Sequence, residues 1–237
     1  MPQQQFEFKQ FKINQDKCAM KVGTDAVLLG SWVKANDSKY ILDIGTGTGI
    51  IALMLAQKSD AKIDAIDIDE NAFVQAQENV SNCKWKDKIQ VYHQSLQEFS
   101  KDKTAVYDLI VSNPPYFIDS SKALAEARTA ARHTDSLAFE ELLEGVMLLL
   151  HKKGRFCVIL PYKEAELFRD LAAQKKLFLD KILRVKTRAD KTEKRLLMQF
   201  EFNPTTFSES SITIEVGERH DYSDEYKALT KDYYLAF

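Results

Sequence analysis

Residues 109–117 of this 237-residue chain read LIVSNPPYF. A run of strand formers ends at Ser112, and a carboxamide (Asn113), two prolines (Pro114, Pro115) and two aromatic rings (Tyr116, Phe117) follow. Proline fixes φ and removes a backbone donor, so the stretch keeps its carbonyl acceptors on a stiffened path. A plain turn has no use for a second proline with aromatic rings beside it. The combination of an uncharged acceptor and a flat face is suited to holding a group in place.

A second stretch with chemical content is LDIGTGTGI, residues 42–50. Gly45, Gly47 and Gly49 give a tight turn, close backbone approach and a helix N-terminus, the arrangement that receives a ligand above the end of a strand. Nicotinamide enzymes have a similar loop, so the glycines alone do not choose the ligand. Asp43, two residues before the first glycine, would repel a pyrophosphate and suits a cationic or amino-bearing ligand. Asp67, 18 residues after Gly49, ends the next apolar run with Ile68 and Asp69 beside it, near the spacing at which a carboxylate meets ribose hydroxyls. Asp69 has a rival role as the cap of the following helix, with Glu70 in its first turn.

These residues need elements to position them, and the hydropathy pattern supplies a series. Strands are expected at 39–45, 62–69, 88–93, 106–112, 154–161, 178–187 and 193–202, and helices at 49–59, 71–83, 139–154 and 162–176. Alternation of strand and helix predicts right-handed βαβ units on a mainly parallel, seven-stranded sheet with helices on both faces. The last two strands have no helix between them, which predicts an antiparallel hairpin at one edge. Ligands in such folds sit beyond the C-terminal ends of the strands, where the three motifs lie. Residues 203–211 (NPTTFSESS) read as a linker or exposed turn. One domain over 1–237 is expected, with an extension at 1–38, a Rossmann-like core at 39–202 and a C-terminal extension at 203–237.

Composition narrows the class. A hydrophobic content of 45% and a charged content of 29% are those of a soluble globular protein. No apolar run approaches the roughly 20 residues of a membrane span, and MPQQQFEFKQFK lacks the apolar core of a signal peptide, so a cytoplasmic location is expected. Cys18, Cys83 and Cys157 are odd in number and lack metal-ligand spacing, which predicts inert thiols, no disulfide framework and no metal. The net charge is −2, yet residues 151–200 carry 14 Lys and Arg against 6 Asp and Glu, so one part of the surface suits a polyanion.

Taken together, LDIGTGTG, the acidic tip at Asp67 and SNPPYF resemble the class I S-adenosylmethionine-dependent methyltransferases that modify planar amino nitrogens: adenine amines, the exocyclic amine of guanine, or a glutamine side-chain amide. KCAMKVGTDAVLLGSW (17–32), EARTAARHTDSLAFEELL (126–143) and YSDEYKALTKDYYLAF (222–237) are similar to bacterial tRNA methyltransferases acting on the 6-amino group of adenine 37 of a valine tRNA. By this resemblance S-adenosyl-L-methionine is the cofactor and the anticodon stem-loop of tRNA the partner, with a monomer or weak dimer expected.

The resemblance also implies roles. An amine whose lone pair is delocalised needs no strong base; it needs two acceptors that turn the lone pair toward the methyl group. The side-chain oxygen of Asn113 and the carbonyl of Pro114 would be that pair, Pro115 offers no competing N–H, and Tyr116 would stack on the base. Lys21, Thr24 and Asp25 would lie near the methionine end of the cofactor, and the 43–49 loop, with Thr46, around its amino acid and ribose. Ser95 stands at the third-strand tip where many relatives have an acidic residue touching the cofactor adenine. Arg128, Arg132 and His133 bind phosphate, flank the flipped base, or form a solvated helix start. Phe6, Phe8 and Phe11 are a packed strand or stacking platforms. Lys186, Arg188, Lys191, Lys194 and Arg195 contact the RNA backbone or are plain solvated charge. Two rival functions remain at this stage: the same fold acting on a protein glutamine amide, and a non-catalytic RNA- or cofactor-binding module.

Overall fold

Two short strands, β1 (Gln5–Glu7) and β2 (Lys12–Asn14), pair antiparallel ahead of the main sheet in the computed structural model, which describes residues 4–18, 20–101, 103–115, 139–204 and 206–237. The phenylalanines of this arm pack. Phe8 and Phe11 are buried and stack at 4.7 Å, Phe8 lies 5.9 Å from Tyr234, and Phe11 meets Trp85 edge-on at 6.0 Å. Of the two readings of these rings, packing is the one observed.

After helix α1 (Thr24–Trp32) the chain alternates: β3 (Tyr40–Ile44), α2 (Ile50–Lys58), β4 (Lys62–Asp67), α3 (Glu70–Ser81), β5 (Ile89–His93), the short α4 (Leu96–Phe99) and β6 (Tyr107–Ser112). Helical residues 139–149 (α5) precede β7 (Leu150–Pro161), α6 (Tyr162–Gln174), β8 (Phe178–Arg188), β9 (Glu193–Glu201), β10 (Ser208–Glu215) and α7 (Asp224–Thr230). The main sheet runs β10-β8-β9-β7-β6-β3-β4-β5, and only β9 is antiparallel to its neighbours. Its central strands are near-continuous apolar runs because both faces are covered. Buried Ile41, Ile63, Leu109 and Val111 share one core with α1 and α2, whereas Leu42, Ile66 and Ile110 share the other with α5 and α6. Helix α2, buried from Ile50 to Ala56, is apolar all round because it packs on α1 as well as on the sheet. Lys58 at its end donates to the carbonyls of Gly30 (2.6 Å), Ser31 (3.1 Å) and Val33, closing the C-terminus of α1, and burial pushes its amine down to about 8.

The architecture is the expected mainly parallel sheet with three differences. Among the described residues it has eight strands: β10, inside the stretch read as a linker and its sequel, pairs parallel to β8. Its first four residues are exposed and only Ile212 is buried, so the edge strand lacks the apolar signature of its neighbours. The β8–β9 hairpin consequently lies one strand in from the edge. Lastly, the helix expected to 154 ends at 149, and β7 begins at Leu150 with a register shift against β6. A Cβ at Gly154 would lie 2.7 Å from Leu150 Cδ1 and 2.8 Å from the Tyr107 carbonyl, so the irregular entry to β7 requires glycine.

Candidate active site

Chain order departs in opposite directions from β3 and β6: β4 and β5 lie to one side, β7 to the other. The crevice between the tips of β3 and β6 is therefore the switch point of the sheet. Both motif-bearing strands end there, with Ile44 opposite Ser112 in register, and the Ser112 hydroxyl donates to the Ile44 carbonyl at 3.0 Å. Asn113 thus begins one residue past a buried hydrogen bond that locks it beside the glycine loop.

The backbone N–H groups of the loop are held from the end of β4. Gly45, Gly47 and Gly49 have φ of 70°, 57° and 82°, the left-handed region that other residues enter at a cost. The N–H groups of Gly45 and Thr46 donate to the Ile66 carbonyl at 2.9 and 3.0 Å, and Gly47 N–H donates to Asp67 Oδ2 at 2.8 Å. A Cβ added at Gly45 or Gly47 would meet nothing within 4 Å, so both face open space at the strand tips.

Asp43 lies beneath this loop, fully buried. Its Oδ2 accepts from the Thr46 hydroxyl at 2.7 Å and from Ala52 N–H at 3.2 Å, whereas Oδ1 has no hydrogen-bond partner among the described residues. Burial pushes the carboxyl up to about 7, against the two donors that favour its charged form and with help from nearby Asp67. Asp67 is half-buried, and its Oδ1 also accepts from Asp69 N–H at 3.0 Å. A carboxylate has about four lone-pair sites, so two donors leave it room for more. The Ile68 side chain is 73% exposed on the rim. Asp69 caps α3, accepting from Ala72 N–H at 2.8 Å, with Glu70 in the first turn.

The remaining expected residues are placed as follows. Ser95 is at the tip of β5, where it caps α4: it accepts from Glu98 N–H while the Glu98 carboxylate accepts from Ser95 N–H, a capping box. Lys21 is exposed, Thr24 starts α1, and Asp25 in its first turn pairs with Arg195 Nε at 2.7 Å, so Arg195 is bound internally. Asn113 and Pro114 are half-buried and Pro115 is exposed. Asn113 Oδ1 is buried with no partner among the described residues. Lys186 and Arg188 end β8 at this same edge of the sheet. Tyr116, Phe117, Arg128, Arg132 and His133 lie outside the described residues.

Sequence reasoning missed a pair of amides on α3. Asn79, buried, donates to the carbonyls of Asn14 (2.9 Å) and Thr48 (2.8 Å) and accepts from Asn14 N–H (2.8 Å), tying the N-terminal arm to the glycine loop. Gln75 accepts from Lys17 N–H at 2.8 Å, and Gln15 from Val22 N–H at 2.8 Å. The segment leading to Lys21 and Thr24 is therefore pinned next to the loop. The only signal for this was two amides on an otherwise ordinary helix face.

The three cysteines are buried and free, and burial pushes the Cys157 thiol up to about 12. Among the described residues no cluster of three potential metal ligands occurs and no helix is long and apolar enough to cross a membrane.

The chain resembles known proteins over most of its length. The methyltransferase small domain model matches residues 18–164. The chain is 49% identical over 233 residues to the tRNA1(Val) (adenine(37)-N6)-methyltransferase of Bacteroides thetaiotaomicron, covering 97% of each. It is 48% identical over 231 residues to the enzyme of the same name from Parabacteroides distasonis, again covering 97% of each. Among solved structures, the predicted O-methyltransferase Atu636 of Agrobacterium tumefaciens superimposes with a TM-score of 0.71 at 14% identity, over 88% of this chain and 96% of that one, a likeness of fold. On the family model and the near full-length relatives together, the chain belongs to the methyltransferase small domain family and, within it, to the tRNA1(Val) (adenine(37)-N6)-methyltransferases.

Proposed function

We propose that this protein transfers a methyl group from S-adenosylmethionine to the 6-amino group of adenine 37 in the anticodon loop of a valine tRNA, in the cytoplasm. The observation that carries the reading is the Asn113 side-chain oxygen, buried without a partner among the described residues at the switch point of the sheet. A buried acceptor left unpaired is costly, so a site that keeps one has a donor to receive.

The residues around it fit the cofactor. The unpaired Asp43 Oδ1 beneath the loop suits a ligand bearing positive charge, the open faces of Gly45 and Gly47 admit close approach, and Asp67 retains acceptor sites for ribose hydroxyls. Gly49, Thr46, Ile68 and Ser95 complete the rim on that side, with Lys21, Thr24 and Asp25 across from it. When bound, S-adenosylmethionine supplies an electrophilic methyl group. Asn113 Oδ1 and the Pro114 carbonyl accept the two N–H bonds of the adenine amine and orient its lone pair outward. The same two oxygens stabilise the positive charge that develops on the nitrogen, a positioning and electrostatic role that needs no strong base. Tyr116 is assigned the stacking role, and Phe117, Arg132 and His133 the flanks of the base, on their motif alone. The base must leave its stack to reach this recess, and a loop base does so at less cost than a paired one.

The test is mass spectrometry of nucleosides after incubating protein and S-adenosylmethionine with unmodified valine and non-valine tRNA transcripts. Adenosine methylated on its 6-amino group, found in the anticodon-loop fragment of valine tRNA only, is the expected result. Absence of any methylated nucleoside, with a methylated glutamine in protein extracts, would replace the reading by its rival.

A further inference from the structure

The edge of the sheet that carries the site is stepped. β3 and β6 end together at Ile44 and Ser112, and β4 ends one residue later, at Asp67. β7 pairs Val158 with Ser112 and then continues to Pro161, three residues or ~10 Å farther. Arg195 of β9 is paired with Pro161, and Val185 of β8 with Arg195, so the β8–β9 hairpin rises beyond that height through Lys186 and Arg188. Asn113 therefore stands at the foot of a wall whose strands β9 and β8 are ~10 and ~15 Å to its side.

The cations of this wall divide into two sets. Arg184 is held by Glu193 at 2.9 Å and Glu209 at 2.5 Å, and Arg195 by Asp25, so these guanidiniums brace the hairpin from within. Lys186 and Lys194 have no carboxylate partner among the described residues, and Arg188 and Lys191 share the exposed Asp190 at 3.8 and 3.4 Å. Tyr162, the first residue of α6, follows Pro161 at the top of β7 with its side chain partly exposed and in no ring stack among the described residues. An exposed ring beside unpaired lysines is the composition that binds single-stranded nucleic acid, the ring stacking on a base and the cations on phosphates.

We infer that Tyr162 with Lys186, Arg188, Lys191 and Lys194 receives the anticodon-loop strand next to the base that enters the Asn113 recess. This rests on the RNA reading given above and adds a binding surface to it: Tyr162 takes a neighbouring base, and the hairpin cations take the phosphates on that side.

The experiment measures binding of an anticodon stem-loop transcript by fluorescence anisotropy from about 50 to 200 mM salt, with calorimetric cofactor affinity as the check that each variant is folded. Lys186→Gln with Lys194→Gln is expected to flatten the slope of log affinity against log salt by roughly 1.4, since each single-strand phosphate contact contributes ~0.7. Tyr162→Leu is expected to weaken binding about fivefold or more at fixed salt with the slope unchanged. The exposed Lys194→Gln alone, with half the slope change, keeps the test intact if the double variant does not fold. Parental slope and affinity in these variants would overturn the surface, and so would a parent protein that binds the stem-loop without salt dependence. The predicted slope changes in the variants, together with a parent that makes no methylated adenosine, would overturn the methyl-transfer reading and leave the surface standing.

Discussion

The two sides of the active-site edge differ in height, charge and the way they are held. Over β3 and β4 the edge is low and acidic, and its carboxylates Asp43, Asp67 and Asp69 each accept at least one backbone N–H. Over β7, β9 and β8 it is tall and basic, and its internal bonds are ion pairs between guanidiniums and carboxylates. Acceptors fixed by backbone donors are rigid, which suits a cofactor seat that must place one atom accurately. Long cations at a hairpin tip are adaptable and sequence-neutral, which suits a flexible polyanion. Asn113 lies on the boundary, where the two kinds of recognition have to meet.

The largest expected effect comes from breaking that boundary itself. Asn113→Ala should cost about 3 kcal/mol or more in the methyl-transfer step, read as kcat in single-turnover kinetics, with cofactor affinity little changed. Equal losses in both would move Asn113 from the boundary into the cofactor seat.

Next is the titration of Asp43, which sharpens the contrast because the low side holds this carboxyl fully buried. Its folded-state value of about 7 lies above the ~3.9 of an unfolded chain, so its contribution to stability is complete below pH 4 and is lost as the pH rises through 7. Between pH 5 and pH 8 that loss is on the order of 3 kcal/mol. Urea unfolding across this range should show the decline in the parent and a flatter profile in Asp43→Asn. Parallel profiles would mean that the carboxyl stays charged beneath the loop.

Asp67→Ala should weaken cofactor binding by about 2 kcal/mol, the scale of one hydrogen bond to a charged group, when measured by calorimetry. Because Asp67 also holds Gly47 N–H, Asp67→Asn separates the roles: the carboxamide can still accept from Gly47 but has lost the charge. Unaltered affinity in Asp67→Ala would remove this residue from the cofactor seat.

The low side was legible in the sequence and the tall side much less so, for a physical reason. A strand covered on both faces is a near-continuous apolar run, so β3, β4 and β6 announced themselves, and the Gly and Asp residues at their tips could be counted off. β10 is an edge strand whose place is set by hydrogen bonds to β8, and SESSITIE carries almost none of that in its side chains. The end of α5 was hidden because the apolar run VMLLL passes from helical Leu149 into Leu150 of β7 without a break, and the change of period is too short to see. Arg195 looked like one more member of a charge run, yet its partner Asp25 is 170 residues earlier. Buried Asn79 likewise joins three segments that only the fold brings together.

The smallest expected effect concerns a side-chain hydrogen bond that adds to the strand pairing between the boundary and the low side. Ser112, buried, donates to the Ile44 carbonyl at 3.0 Å, and Ser112→Ala leaves that carbonyl without its side-chain donor. Such a loss costs about 1 kcal/mol of stability, read by urea unfolding. A merely structural bond would stop there. If the bond also sets the distance between Asn113 and the glycine loop, kcat falls severalfold while the KM for tRNA stays near its parental value, because on the proposed surface the wall would hold the RNA and only the alignment of the amine would be loosened. Ser112→Thr, which keeps the hydroxyl, should recover most of kcat. A variant with lowered stability, unchanged kcat and no response to threonine would show that the glycine loop and Asn113 are aligned by the strands alone.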